Sequence, residues 1–367
     1  MRWLWMFLLI SAAAVAQSGP RVQISHTTEA LRGVSAVSRE VAWASGTHGT
    51  YLRTTDGGVT WKPGQVADAA ALDFRGVVAF SADEAFLMSA GPGEQSRIYH
   101  TSDGGQHWQL QFKNSNPKGF FDSIAFWDAK HGIVLGDPIT DAAGKLAFEV
   151  LLTEDGVNWH EAPSAGLPAA MEGEGAFAAS NSCIAILPGA DLNAWFATGG
   201  KAARVFHSAD RGQSWQVFDT PIAHGPESAG IFSIAFRDTT HGVIAGGDYK
   251  HPKDDGPNLA FTKDGGKTWT LSDMKPLAYF SSVAYDRRVN DIAKRQDADE
   301  KKVRVRPITP ERLFIVGQDF VFDFRPPRSP RRIGGKKKLG IAFNAASAYP
   351  EGGALVVGPK GSIAFIP

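Results

Sequence analysis

Short apolar runs that end in small residues recur along the whole chain, and they come in pairs. The first member of each pair is a small residue, an apolar residue, usually alanine, then an aromatic or apolar residue. It occurs at 33–37, 76–80, 123–126, 175–178, 233–236, 282–285 and 340–343. The second is an apolar run closed by glycine or a small residue, at 41–46, 85–91, 132–136, 194–199, 242–246, 312–317 and 354–358. Runs of this length, bounded by glycine and rich in Val, Ile and Phe, predict buried strands. Third strands such as 51–54, 205–208 and 259–262 lead from these pairs into a polar turn.

That turn is itself a repeat. Thr54-Thr55-Asp56-Gly57-Gly58-Val59-Thr60-Trp61 returns around Asp103 and Trp108, Asp155 and Trp159, Asp210 and Trp215, and Asp264 and Trp269. The Asp-to-Asp steps of 47, 52, 55 and 54 residues are the length of a four-stranded propeller blade and too long for a helical-hairpin repeat. An Asp followed by glycines predicts a hairpin turn, because the carboxylate accepts backbone N–H groups and glycine takes the positive φ. The Trp then starts the next strand and wedges between units. The third copy is one residue shorter between Asp and Trp, which predicts a tighter turn. These Asp and Trp residues are read as turn-formers and packing anchors.

The pattern [ST]-x-D-x-G-x-[ST]-W resembles the Asp-box of the BNR repeat families, and the blade count and box spacing are similar to those of the photosystem II stability/assembly factor-like proteins. Sialidase and sortilin-type propellers are more distant likenesses. The resemblance implies an all-β fold, a seven-bladed β-propeller of four-stranded blades, and a binding or assembly scaffold without catalysis. The last two units lack the box, and unit seven ends after three strands. Its missing outer strand is expected from 21–25, which would close the ring with both termini in one blade.

Composition narrows the partners. Lys+Arg and Asp+Glu both number 38, for a formal net charge of zero, so no bulk field draws the chain to nucleic acid. Arg2, the apolar run 3–10 and the small residues Ala14 and Ala16 predict a signal peptide over 1–16, with a single mature domain over 17–367 that is exported to a periplasmic or extracellular space. Cys183 is the one cysteine. It excludes an internal disulfide and, flanked by Ile184 and Ile186, is expected as a buried thiol. The mature protein is expected to be a monomer. No HExxH, CxxC, phosphate-loop or dinucleotide fingerprint occurs, so no metal or cofactor is called for.

Two charged segments stand apart from the strands: an insertion at 286–310 and a basic loop at 325–338 that includes Arg328, Arg331 and Arg332. The second is either a solvated loop or an electrostatic contact for a membrane surface or an acidic protein. The residue before each first strand should form a ring at the mouth of the central channel. In the first four units it is Arg32, Arg75, Asp122 and Glu174. Two guanidiniums and two carboxylates there would bind a charged ligand, peptide or glycan, or would neutralise one another. If the protein were instead a sialidase-like glycoside hydrolase, Glu174 or Asp248 would be the acid, with Asp137 across the mouth. His131 and His241 occupy the hairpin between first and second strands and are read as turn residues.

Overall fold

In a computed structural model, residues 19–141, 143–189, 191–274, 278–287, 312–317, 319–325, 331–334 and 339–367 are described. Their strands form seven antiparallel sheets, one per blade, with the first strand of each blade innermost except in blade five, whose inner edge is extended by the short strands Gly199–Gly200 and Glu174–Gly175. Blade one comprises Leu31–Ala36, Ala42–Gly46, Thr50–Thr54 and Lys62–Gln65, and the pattern repeats to blade six. Blade seven orders Ala345–Ala348, Ala354–Gly358 and Ser362–Ile366, then Arg21–Gln23 as its outer strand. Arg21 pairs with Phe365 and Gln23 with Ile363, so the N-terminal strand closes the ring as expected. The predicted signal peptide lies outside the described residues. Among the described residues no helix is long and apolar enough to cross a membrane.

Burial follows radius. Second strands such as Ala42–Gly46 and Leu313–Gly317 are buried at every position, because blades pack on both of their faces. Outer strands such as Lys62–Gln65 are mostly exposed. This is why the second strands read as continuous apolar runs instead of alternating ones.

Each box holds its turn by the same grip. Thr60 donates to Asp56 through its N–H (2.9 Å) and hydroxyl (2.5 Å), while the Thr54 hydroxyl donates to Asp56 and receives the Gly58 N–H. In the shorter third box, Asn158 gives its N–H to Asp155 at 2.8 Å, three residues on instead of four, which is the tighter turn expected. The box tryptophans reach the preceding blade. Trp108 lies edge-on to Trp43 and Tyr51 of blade one, at 6.1 and 5.1 Å between ring centroids; Trp61 donates to Gln23 of blade seven and Trp159 to Gln111 of blade two. Trp215 and Trp269 share apolar clusters with Leu152 and Trp195 respectively. Blade six carries no box. At its seam with blade five a cavity of about 500 Å³ opens among His241, Phe261, Leu271 and Tyr285.

Two sequence expectations are corrected. The innermost strand of blade four is Ile184–Ile186, paired through Ile184 and Phe196 with Ala194–Ala197, and not 175–178. In blade seven it is Ala345–Ala348, not 340–343, where Gly340 has the positive φ of a turn. Both segments carry the small-apolar pattern but are used elsewhere. The basic stretch is not simply a loop either, because Arg331–Gly334 is the outer strand of blade six. Asp286 and Arg312 close the base of the charged insertion by an ion pair of 2.9 Å; the insertion beyond Arg287 lies outside the described residues.

Candidate functional site at the channel mouth

The ring of residues before the first strands is built on β-bulges. The register slips between Leu31 and Gly33, Phe74 and Gly76, Phe121 and Ser123, and Ile231 and Ser233. The extra residue in each case is Arg32, Arg75, Asp122 or Phe232. A bulge leaves one residue out of the ladder and re-aims its side chain, here toward the mouth. Three of the four predicted ring members therefore stand at equivalent places. Glu174 does not, because the strand it was assigned to is not the innermost one. Phe232 went unread because an aromatic is an unremarkable residue before a strand.

Arg32 and Arg75 share an acid that the sequence reading missed. Asp73 lies two residues before Arg75; its Oδ2 accepts the Arg75 Nε at 2.9 Å, and its Oδ1 is 3.6 Å from the Arg32 Nε. The two arginine side chains remain 32% and 30% exposed, so one carboxylate is divided between two accessible guanidiniums. Asp122 does not complete the neutralisation. It is 1% exposed, and burial, reinforced by the charge of Asp137 and opposed by Arg75, holds its carboxyl well above the usual carboxylate range. Among these groups the accessible ones are two guanidiniums and the one carboxylate of Asp73.

A segment from blade four closes the channel behind these groups. Residues 175–182 touch blades on both sides of the ring. The Arg75 Nη1 donates to the Ala178 carbonyl at 3.0 Å, and Asn181 bonds Ile124 in blade three through both amide atoms. The Ser180 hydroxyl donates to the Ser281 carbonyl in blade six, and that of Ser182 to Ser233 in blade five. Phe177 stacks on Phe232 with centroids 3.8 Å apart. A segment bonded to blades two and six at once must cross the axis. Phe232 also meets Tyr249 and Tyr279 edge-on, so an aromatic ledge with a 49% exposed Tyr249 flanks the plug.

The remaining candidates are placed by their partners. Glu174 has a side chain with no exposure; its carboxylate receives Arg204, the Thr198 hydroxyl at 2.6 Å and the Met171 N–H at 2.9 Å. It anchors the start of the plug and is sealed from solvent. Asp137 accepts the Ala176 N–H at 2.9 Å, and burial raises its carboxyl above the ordinary range. Asp137 thus holds the start of the plug, and its charge reaches Asp122. For Asp248 burial opposes ionisation, but hydrogen bonds from His251, Ser228 and the Lys250 N–H outweigh it and hold the carboxyl below the ordinary range. A group so held is a poor proton donor. His131 and His241 bond Asp128 and Asp238 within their own hairpins, as turn residues. Arg325 pairs with Asp323, Arg332 lies over Phe320 at 5.7 Å, and Arg331 is exposed; Arg328 lies outside the described residues.

A family model described as photosynthesis system II assembly factor YCF48 matches residues 13–118, a span that includes blades one and two. Among solved structures, "YCF48 bound to D1 peptide" is similar over 96% of this chain and 98% of that one, at 17% identity and a TM-score of 0.64. The U3-55K structure is similar over 95% and 98%, at 11% identity and a TM-score of 0.61. The WD40 propeller domain of Doa1 is similar over 95% and 97%, at 10% identity and a TM-score of 0.60. Likenesses at these identities show the propeller fold. Among curated proteins, no sequence matches this one.

Proposed function

We propose that this YCF48-like BNR propeller is an exported scaffold that captures a carboxylate-bearing segment of a protein partner at the channel mouth, as an assembly factor does. The observation that carries the reading is the unequal charge at the mouth. Arg32 and Arg75 are accessible, share the single carboxylate of Asp73, and face an Asp122 that burial drives toward its neutral form. Two guanidiniums with unsatisfied donors favour a bidentate acid. The plug gives the recess a floor, so a partner lies across the mouth instead of threading it, and Tyr249 offers an apolar contact on the blade-five side. The family-model match and a solved YCF48 in complex with a D1 peptide support a peptide partner. The N-terminal apolar run supports export, which N-terminal sequencing of the mature protein would test by finding Gln17 first.

The direct test is fluorescence anisotropy with two labelled probes, a D1 peptide and a hexaglutamate peptide. A charge-assisted hydrogen bond is worth about 1.5–3 kcal/mol, so Arg75→Ala or Arg32→Ala should weaken capture by about 10- to 100-fold, and added salt should weaken it further. If neither probe binds, or both variants bind as well as the parent, the mouth is not the capture site. The hydrolase alternative gains nothing from the geometry, since Glu174 is sealed by Arg204 and Asp248 is held ionised.

A further inference from the structure

We infer that Asn181 is a positioning residue that keys the plug into the ring and thereby sets Arg75; only the ligand-binding part of this inference rests on the function proposed above. The starting point is how the seams between innermost strands are joined. At four of them a serine hydroxyl accepts a backbone N–H of the following blade; from blade seven to blade one, Ser347 receives Ala36 at 3.1 Å. Ser35 receives Ala79, Ser233 receives Val283 at 2.9 Å, and Ser282 receives Ala346 at 3.3 Å. Gly76 occupies in blade two the place that Ser233 occupies in blade five, directly after the bulge, and Ser282 likewise heads the paired part of the innermost strand of blade six. It has no hydroxyl to give.

Asn181 supplies the missing acceptor from outside the blade. Its Oδ1 receives the Ile124 N–H at 2.8 Å, the bond a serine at 76 would make, and its Nδ2 returns a bond to the Ile124 carbonyl at 3.1 Å. A Cβ at position 76 would stand 2.8 Å from that Oδ1 and 2.8 Å from the Ile124 Cγ2, so the glycine makes room for both, and a serine there requires the Ile124 side chain to shift. Asn181 sits at φ 57°, a conformation that suits asparagine and glycine. Three residues before this key, the Ala178 carbonyl holds Arg75, and the Ala178 N–H faces Asp122. One side chain thus repairs a seam and ties down the segment that orients a mouth guanidinium.

The two roles separate by mutation. Asn181→Gly keeps the positive φ and removes the key. Adding Gly76→Ser restores a hydroxyl of the kind used at the other seams without restoring the tether. Cys183, the single cysteine, is fully buried in a cluster with Ala176 of the plug, so its reaction with a thiol-specific aromatic disulfide reports plug opening without any ligand.

In Asn181→Gly, Cys183 labelling should accelerate by about tenfold along a path insensitive to low urea, which marks local opening as distinct from global unfolding. Capture of the hexaglutamate probe should weaken several-fold. In the double variant the melting temperature should return toward the parent while labelling stays fast and capture stays weak. Recovery of labelling and capture with Gly76→Ser would reduce Asn181 to a seam staple and overturn the inference. So would labelling in Asn181→Gly that is unchanged, or that accelerates only in step with urea-induced unfolding. If the parent does not bind the probe, the proposed function falls, and the thiol measurement still judges the tether.

Discussion

The aspartates of the boxes and the aspartate at the mouth are perturbed in opposite directions, and each direction has a consequence in pH. Asp56 and Asp103 are held at about 2, from an ordinary 3.8, first by the groups donated from Thr60 and from His107 respectively. A depressed folded pKa stabilises the fold above the ordinary value, and that contribution is lost as pH falls from about 4 toward 2. Urea midpoints should therefore drop across that window, and Asp56→Asn with Asp103→Asn should flatten the drop. Asp122 is raised instead, so its contribution is fully present below the ordinary carboxylate range and is lost as pH rises through its folded pKa. Asp122→Asn should remove that decline, and because the side chain is buried it should leave peptide capture unchanged. Anisotropy that weakens in this variant would show that an ionised Asp122 takes part at the mouth. Glu174 belongs to a buried ion pair: Glu174→Gln leaves Arg204, 7% exposed, short of its counter-charge. Removing one partner of a buried pair costs about 3–5 kcal/mol, which thermal melts would register.

At the level of the element, the box works as a turn and a wedge together. Its Asp and Thr tie the hairpin between third and fourth strands, and its Trp crosses to the blade before. Trp61 is 2% exposed and sits in a cluster with Leu355 and Phe365 of blade seven. Trp61→Ala should cost about 3–5 kcal/mol and loosen the seam where the chain ends meet. The seam between blades five and six lacks such a wedge, and Val243 stands where blade four has Trp195, in the same register of the second strand. Hydrogen exchange should find the amides of Leu259–Thr262 less protected than those of Arg204–Ser208, the same strand one blade earlier. Equal protection would mean that the cavity there carries no cost in local stability.

For the molecule as a whole, the ring is only as strong as its closure. Arg21–Gln23 is three residues long, yet it covers the edge of Ser362–Ile366, adds the Gln23 bond to Trp61, and places Arg21 over Phe365 at 4.9 Å. A chain beginning at Ile24 would expose that edge to pairing with other chains. It should melt at lower temperature and elute partly as oligomers in size-exclusion chromatography. Closure also explains why the plug is tolerated: seven blades held by seams and by the terminal strand leave a channel that one segment can cross, with its backbone groups met by Arg75, Asp137 and the Ile234 N–H.

What the chain determined alone was whatever repeats locally. The box residues Asp56 to Trp61 and their returns, the apolar strand pairs and the tighter third turn are consequences of neighbours within a few residues, so a linear reading finds them; the strand that closes blade seven was legible from the strand count, because the last unit is one strand short. The buried thiol at Cys183 was legible for the same reason. Only the tertiary structure decided which copies of a weak pattern become innermost strands, because 175–178 and 183–186 look alike until one of them pairs with Ala194–Ala197. It also decided the site. Arg32, Arg75 and Asp122 were visible as ring members, but the reach of Asp73 to Arg32, the sealing of Glu174 by Arg204 and the key that Asn181 forms with Ile124 join residues 30 to 57 positions apart. Such contacts depend on how the ring closes, and no spacing along the chain encodes them.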